Sequence, residues 1–154
     1  MIVARVLYFL GLFCFGTNFA AFCGSQTYGL QDAFYVLDLG LLIQLFQQWD
    51  KALPRVKPFY AVKCSPDPAL LSTLAELGTG FDCASKAEIA QVLALGVPTE
   101  RILFANPCKM QAHVKYAASV GVNTMTFDSE MEVCKTMPNQ PCFAMHSIFP
   151  TLVW

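Results

Sequence analysis

A lysine able to bond covalently to a carbonyl compound closes a short apolar run, Pro58-Phe-Tyr-Ala-Val-Lys-Cys-Ser65. Phe59, Tyr60, Ala61 and Val62 are aromatic, small or β-branched and are bounded by Pro58 and by Ser65-Pro-Asp-Pro68, which predicts a buried strand that stops at Lys63. In a protein of alternating strands and helices, several strand ends and helix N-termini converge at that point, and chemistry is usually built there. A partly desolvated lysine amine loses its proton more readily and can condense with an aldehyde to a Schiff base. The structural alternative is a surface lysine that happens to follow a strand, the ordinary place for this residue type.

Other chemistry-bearing residues are few. Asp82 ends the next predicted strand, and adjacent strand ends bring it within reach of Lys63, where a carboxylate would act electrostatically on the amine. Glu88 lies three residues after Ser85 in Ser-Lys-Ala-Glu, so a helix capping box accounts for it as well as a site role does. His113 falls inside a predicted helix and His146 near the C-terminus, neither with partners for a metal or catalytic cluster. The seven cysteines never form a CxxC pair, so no metal site is expected. Cys64, Cys83 and Cys108 fall at or just past strand ends, a placement that suits reduced thiols.

The elements that must hold these residues alternate regularly from Asp32 onward. A strand over Ala33–Val36 leads to Asp38 as helix cap and to Leu41, Leu42, Leu45, Phe46 and Trp49 at helical spacing, ended by Pro54. After the Lys63 strand, a helix starts near Pro68 with Leu70, Leu71, Leu74 and Leu77 on one face and stops at Gly78. Gly80–Ala84 is the next strand, and the Ser85 capping box opens a helix closed at Gly96. Arg101–Ala105 is a strand, a helix runs from about Lys109 to Val120, Thr124–Phe127 is a strand, and Ser129-Glu-Met-Glu132 reads as a second capping box.

Repeats of this kind imply an α/β fold of parallel strands joined by crossovers, closed either as an open doubly wound sheet or as a (β/α)8 barrel. No GxGxxG and no GxxxxGK[ST] follows a strand, which removes the usual nucleotide-binding reasons for an open sheet. A barrel takes roughly 250 residues, and the repeats in this 154-residue chain amount to about half of one.

Composition narrows the function classes. Hydrophobic residues are 55% and charged residues 14%, which excludes a disordered chain. A formal net charge of −1 without a basic stripe argues against nucleic acid as partner. Residues 1–31 form an apolar segment of different character: Arg5 precedes Val6–Gly16, and Ala20-Ala-Phe-Cys-Gly24 follows, as in a signal-peptide core and exit. Gly11, Gly16, Thr17 and Asn18 interrupt what would need about 20 apolar positions to span a membrane, so a membrane location is disfavoured and a foreign first segment joined to a cytoplasmic domain competes with secretory targeting.

Taken in order, Asp32–Gly40 (DAFYVLDLG), Lys51–Cys64 (KALPRVKPFYAVKC), Gly78–Ile89 (GTGFDCASKAEI), Ala105–Lys109 (ANPCK), Lys115–Val122 (KYAASVGV) and Thr126–Glu132 (TFDSEME) resemble the N-terminal barrel half of the eukaryotic ornithine decarboxylase family. The resemblance extends from about Asp32 to Met137 and implies a partial PLP-binding barrel of the alanine racemase type over 32–137, followed by a divergent tail over 138–154 without clear periodicity. It also implies that Lys63 forms the Schiff base with pyridoxal 5′-phosphate, with Ala61, Asp82 and Glu88 beside the cofactor, and that the substrate is ornithine, decarboxylated to putrescine by a homodimer. The family's glycine-rich phosphate loop and the glutamate facing the ring nitrogen would lie beyond Met137, so the expectation is a chain inactive by itself. A second expectation is a non-catalytic antizyme-binding protein of the antizyme-inhibitor type. The stretch from Asn106 to about Glu132 resembles the family's antizyme-binding segment, with Lys109 and Lys115 offering a basic helical surface to an acidic partner. Those inhibitors typically lack the aspartate that stands here as Asp82, which favours the catalytic lineage.

Overall fold

Strand and helix alternate from Leu39 onward, and Gly78, Gly96 and Gly121 adopt positive φ at or just past three of the helix ends. The computed structural model describes residues 3–5, 34–136 and 144–147, in two units covering 1–39 and 40–154. In the first unit β1 (Val3–Arg5) pairs in parallel with β2 (Phe34–Val36), Val3 opposite Phe34. The signal-like run of residues 6–24 lies outside the described residues. Among the described residues no helix is long and apolar enough to cross a membrane.

Helix α1 (Leu39–Ala52) forms where the apolar spacing predicts it, yet none of its residues is buried. Leu41, Leu45 and Trp49 remain 41–53% exposed, so the stripe that announces the helix is not a core face among the described residues. The remaining elements are β3 (Phe59–Ala61), a 3-10 turn (Val62–Cys64), α2 (Pro68–Leu77), β4 (Gly80–Cys83), α3 (Lys86–Ala94), a second 3-10 turn (Thr99–Arg101), β5 (Ile102–Phe104), α4 (Gln111–Ser119), β6 (Thr124–Phe127), α5 (Glu130–Thr136) and β7 (Ala144–Ser147). Strands β3 to β7 form one parallel sheet in chain order. That order has no reversal of the kind that defines a doubly wound sheet. The architecture is part of a (β/α)8 barrel of the alanine racemase type, as the sequence implies.

Strand β7 lies in the tail where the sequence shows no pattern. A short parallel strand carries no obligatory polar alternation, so periodicity had nothing to reveal. It pairs with β6 from Thr124–Ala144 to Phe127–Ser147.

The sheet has two unlike faces. Phe81 and Cys83 of β4, Ile102 and Phe104 of β5, and Met125 and Phe127 of β6 are buried with Leu71 and Leu74 of α2, Ile89 and Val92 of α3, and Val114 and Ala117 of α4. The alternate residues, Ala61, Asp82, Leu103, Thr124 and Thr126, are only half-buried. Register places Ala61, Asp82, Leu103 and Thr124 in one line across the strands. Parallel neighbours in register share a face, so this line marks the barrel's interior side. Phe59 also lies on it, against Gly80, where an added Cβ would come 2.5 Å from the Phe59 ring.

Helix ends obey local chemistry. Asp67 Oδ1 accepts from the N–H groups of Ala69 (2.9 Å) and Leu70 (3.2 Å), and Pro68 occupies the first turn, where its missing N–H costs nothing. Gly78 ends α2 at φ 88°, a left-handed conformation natural to glycine. Arg101, just before β5, then grips the end of this helix: its Nε donates to Thr79 O (2.9 Å) and its Nη2 to Ala75 O (2.8 Å) and Thr79 O (2.7 Å). Removing that grip with Arg101→Met should lower unfolding stability by about 2 kcal/mol. Urea denaturation checks this, the midpoint falling without a change in slope.

Candidate functional site

The C-terminal ends of β3 to β6 gather the residues of interest. After Ala61 the chain leaves the sheet in the 3-10 turn that carries Lys63, and Ser65 returns it to extended geometry. Tyr60 holds this turn by donating its hydroxyl to Ser65 O at 3.3 Å. Burial first, then the neighbouring Cys64, pushes the Tyr60 hydroxyl up to about 12, so it stays protonated as a donor through the neutral range. From α3, Gln91 Nε2 donates to Pro66 O at 2.7 Å and ties the loop after Lys63 to the next unit.

Lys63 is exposed rather than partly desolvated. A turn beyond the strand end lifts it clear of the packed layer, which is why the apolar run before it does not bury its amine. It nonetheless acts on Asp82. Burial pushes the Asp82 carboxyl above the usual carboxylate range, the charge of Lys63 pulls it down, and Glu88 pushes it up again, leaving it raised. Asp82 Oδ1 is buried and has no hydrogen-bond partner among the described residues. Ala61, in register with Asp82, completes the adjoining strand end.

Glu88 has the capping role that its spacing predicts. Its N–H donates to Ser85 Oγ at 3.3 Å, while its Oε2 accepts from Ala84 N at 2.7 Å, so the carboxylate secures the β4–α3 junction next to Asp82. Beside it, Cys83 is buried, and burial together with the charges of Glu88 and Asp82 pushes its thiol up to about 12. That sulfur is therefore not a nucleophile. Cys64, Cys108 and Cys134 are free and exposed.

Lys109 does not lie on a basic helical surface. It precedes α4 and is 2% exposed, with its Nζ 3.0 Å from Glu132 Oε1 and donating to Thr126 O (2.8 Å) and Asn106 O (3.3 Å). Its backbone N–H donates to Glu132 Oε1 at 2.8 Å, which keeps it out of the helix and moves the start of α4 to Gln111. Glu132 also pairs with Lys135, whose Nζ donates to Lys109 O at 2.5 Å. The Ser129–Glu132 spacing thus reads as a capping box although the Glu132 carboxylate serves these two lysines. Sequence reasoning missed this network because the partners of Lys109 are main-chain carbonyls and a residue 23 positions away. Lys115 is exposed on α4, and His113 is half-buried there with no metal cluster among the described residues.

Asn106 extends the network to β4, its Nδ2 donating to Ala84 O at 3.1 Å and its Oδ1 accepting from Cys108 N at 3.1 Å. The ends of β4, β5 and β6 are thereby laced together behind Asp82. The described ends of β3 to β6 thus bring an exposed lysine amine and a half-buried carboxylate with an unpartnered oxygen to one fixed rim.

A family model described as pyridoxal-dependent decarboxylase, pyridoxal binding domain, matches residues 39–145. Ornithine decarboxylase of Mus musculus is 60% identical over 111 residues, covering 72% of this chain and 24% of that protein. Among solved structures, the arginine decarboxylase of Paramecium bursaria Chlorella virus superposes with a TM-score of 0.76 at 35% identity, over 83% of this chain and 34% of that one. The lysine decarboxylase of Selenomonas ruminantium, solved with PLP and cadaverine, gives 0.76 at 33% identity over 80% and 32%. The chain spans about a quarter of the length of the curated relative.

The ion network makes two measurable demands. Glu132→Gln leaves the buried Lys109 ammonium without its counter-charge and should cost about 3–5 kcal/mol in denaturant unfolding. Burial alone would raise Glu132, but hydrogen bonds from Lys135 and from the backbone and side chain of Lys109 outweigh it and hold the carboxyl below the usual range. A depressed carboxylate adds stability that is complete above its unfolded value and is lost as pH falls through its folded one. Melting of the native chain should therefore drop more steeply on acidification below the ordinary glutamate range than that of the Glu132→Gln chain.

Proposed function

Because the chain belongs to the pyridoxal-dependent decarboxylase family through its pyridoxal-binding domain, we propose that it is the cofactor-bearing part of an ornithine decarboxylase. The observation that carries this is the placement of Lys63, raised on its 3-10 turn, at the strand end adjoining that of Asp82, whose buried oxygen has no hydrogen-bond partner among the described residues and whose carboxyl feels the lysine charge. Identity of 60% to the ornithine decarboxylase of Mus musculus supports ornithine as the substrate.

In this reading Lys63 supplies the amine that binds the aldehyde of pyridoxal phosphate, and its exposure leaves that amine accessible. The bound cofactor supplies an electron sink for the carbon that loses carbon dioxide. Asp82 holds a carboxyl on the adjoining strand end, and burial raises it so that it keeps a proton more easily than an ordinary carboxylate. Ala61 leaves room at the strand end, and Glu88 keeps the main chain on either side of Ala84 in place.

The alternative, a non-catalytic partner of antizyme, keeps Lys115 as an exposed cation but loses Lys109 to the interior. Asp82 has no task in that reading, so the catalytic lineage is favoured. Since the resemblance assigns phosphate and ring-nitrogen contacts to segments after Met137, this chain by itself should capture the cofactor without turning over ornithine.

Borohydride reduction in the presence of pyridoxal phosphate, followed by peptide mapping, tests the assignment. The expected result is a fixed pyridoxyl mass on Lys63 that disappears in Lys63→Ala, with no labelled carbon dioxide released from carboxyl-labelled ornithine. Labelling that persists undiminished in the variant would remove Lys63 from the role.

A further inference from the structure

Two buried side-chain oxygens lack a hydrogen-bond partner among the described residues: Asp82 Oδ1 and Thr126 Oγ1. Asp82 is already placed beside Lys63, whereas Thr126 has no part in the chemistry above. An unpaired buried hydroxyl forfeits roughly 1–3 kcal/mol, and two such groups on one small sheet call for a common explanation.

Register supplies it. Asp82 is opposite Leu103, and Leu103 is opposite Thr124. Thr126 lies two residues beyond Thr124, hence on the same face of the sheet as Asp82. This is the half-buried interior face, while the residues between, Met125 and Phe127, join the packed layer on the other side. Two residues past the Ala61–Asp82–Leu103–Thr124 line is also the level at which β3 has given way to the turn carrying Lys63. Strands β4 and β6 are two spacings apart, roughly 10 Å, which is the span of a small organic molecule and too wide for one water to bridge.

The end of β6 is also held in place from behind. Lys109 Nζ donates to the carbonyl of Thr126 at 2.8 Å, and that ammonium is itself fixed by Glu132 at 3.0 Å. The backbone that presents the Thr126 hydroxyl is thus anchored by a buried ion pair, as a ligand-contacting residue requires.

We propose that Thr126 is a further ligand-contacting residue, its hydroxyl hydrogen-bonding to the pyridoxal phosphate held at Lys63. This rests on the cofactor reading above. It assigns β6 to the site together with β3 and β4, and it gives the Lys109–Glu132 pair the task of positioning that hydroxyl.

Thr126→Val keeps the shape and removes the hydroxyl, and Thr126→Ser keeps the hydroxyl and removes the methyl. Equilibrium titration of each full chain with pyridoxal phosphate, followed by absorbance and by quenching of intrinsic fluorescence, should show Thr126→Val binding about five- to tenfold more weakly, with Thr126→Ser close to the native chain. Without cofactor, Thr126→Val should melt at the native temperature or above it, because a methyl replaces a hydroxyl that has no partner. Equal affinity in Thr126→Val and the native chain would overturn the proposal while leaving the Lys63 assignment standing. A lowered melting temperature without cofactor would overturn it too, by showing that the hydroxyl is already bonded within the fold. Failure of the native chain itself to bind pyridoxal phosphate would overturn both readings together.

Discussion

A single buried ammonium organises the functional end of this sheet. Lys109 Nζ, fully enclosed, reaches the carbonyls that end β5 and β6 and the carboxylate of Glu132 on α5. Taking a lysine out of water is costly unless its charge is neutralised and its protons are all used. Here Glu132 provides the charge and the two carbonyls take the remaining donors. The arrangement therefore exists only when β5, β6 and α5 are all in their final positions, and the rim residues inherit that definition.

From that tie the rest of the rim follows by short steps. Asn106, next to the β5 end, reaches Ala84 at the end of β4, and Glu88 secures the other side of Ala84. Asp82 sits on this pinned strand, its position set by main-chain bonds, and its buried Oδ1 has no hydrogen-bond partner among the described residues. The turn carrying Lys63 is steadied from two sides, by Tyr60 and by Gln91. Rigidity is thus concentrated in the main chain, and the buried oxygens without partners are side-chain ones.

How much of this could be read in advance depends on the range of the interaction. Local rules located the strands and α-helices from α1 to α5, though not the 3-10 turn that carries Lys63, because Asp67, Pro68, Gly78 and Ser85 act within four residues of themselves. Chain-order strand pairing likewise follows from short crossovers. Lys63 and Asp82 stood out in the sequence because Lys63 closes an apolar run, Asp82 interrupts one, and the surrounding phrases resemble a known family. The failures share a cause. Lys109 was taken for a surface charge and Glu132 for a capping residue, since nothing within a turn of either shows that they meet. The exposed stripe of α1 misled in the opposite sense: helical spacing reports that a helix forms, while burial depends on what lies against it. Strand β7 and the Thr126 hydroxyl carry no local signal at all, the first because parallel strands need not alternate, the second because an unpaired atom is defined only by its surroundings.

The choice of acceptors in the rim has a consequence for descent. Lys109 and Asn106 grip carbonyl oxygens at Ala84, Asn106 and Thr126, and every residue type supplies a carbonyl oxygen. A change of side chain at Ala84 or Thr126 therefore leaves the clamp on the strand end in place. A scaffold built this way separates heritable stability from heritable selectivity. Selection can retune what the rim recognises one position at a time, without first finding a compensating change in the frame.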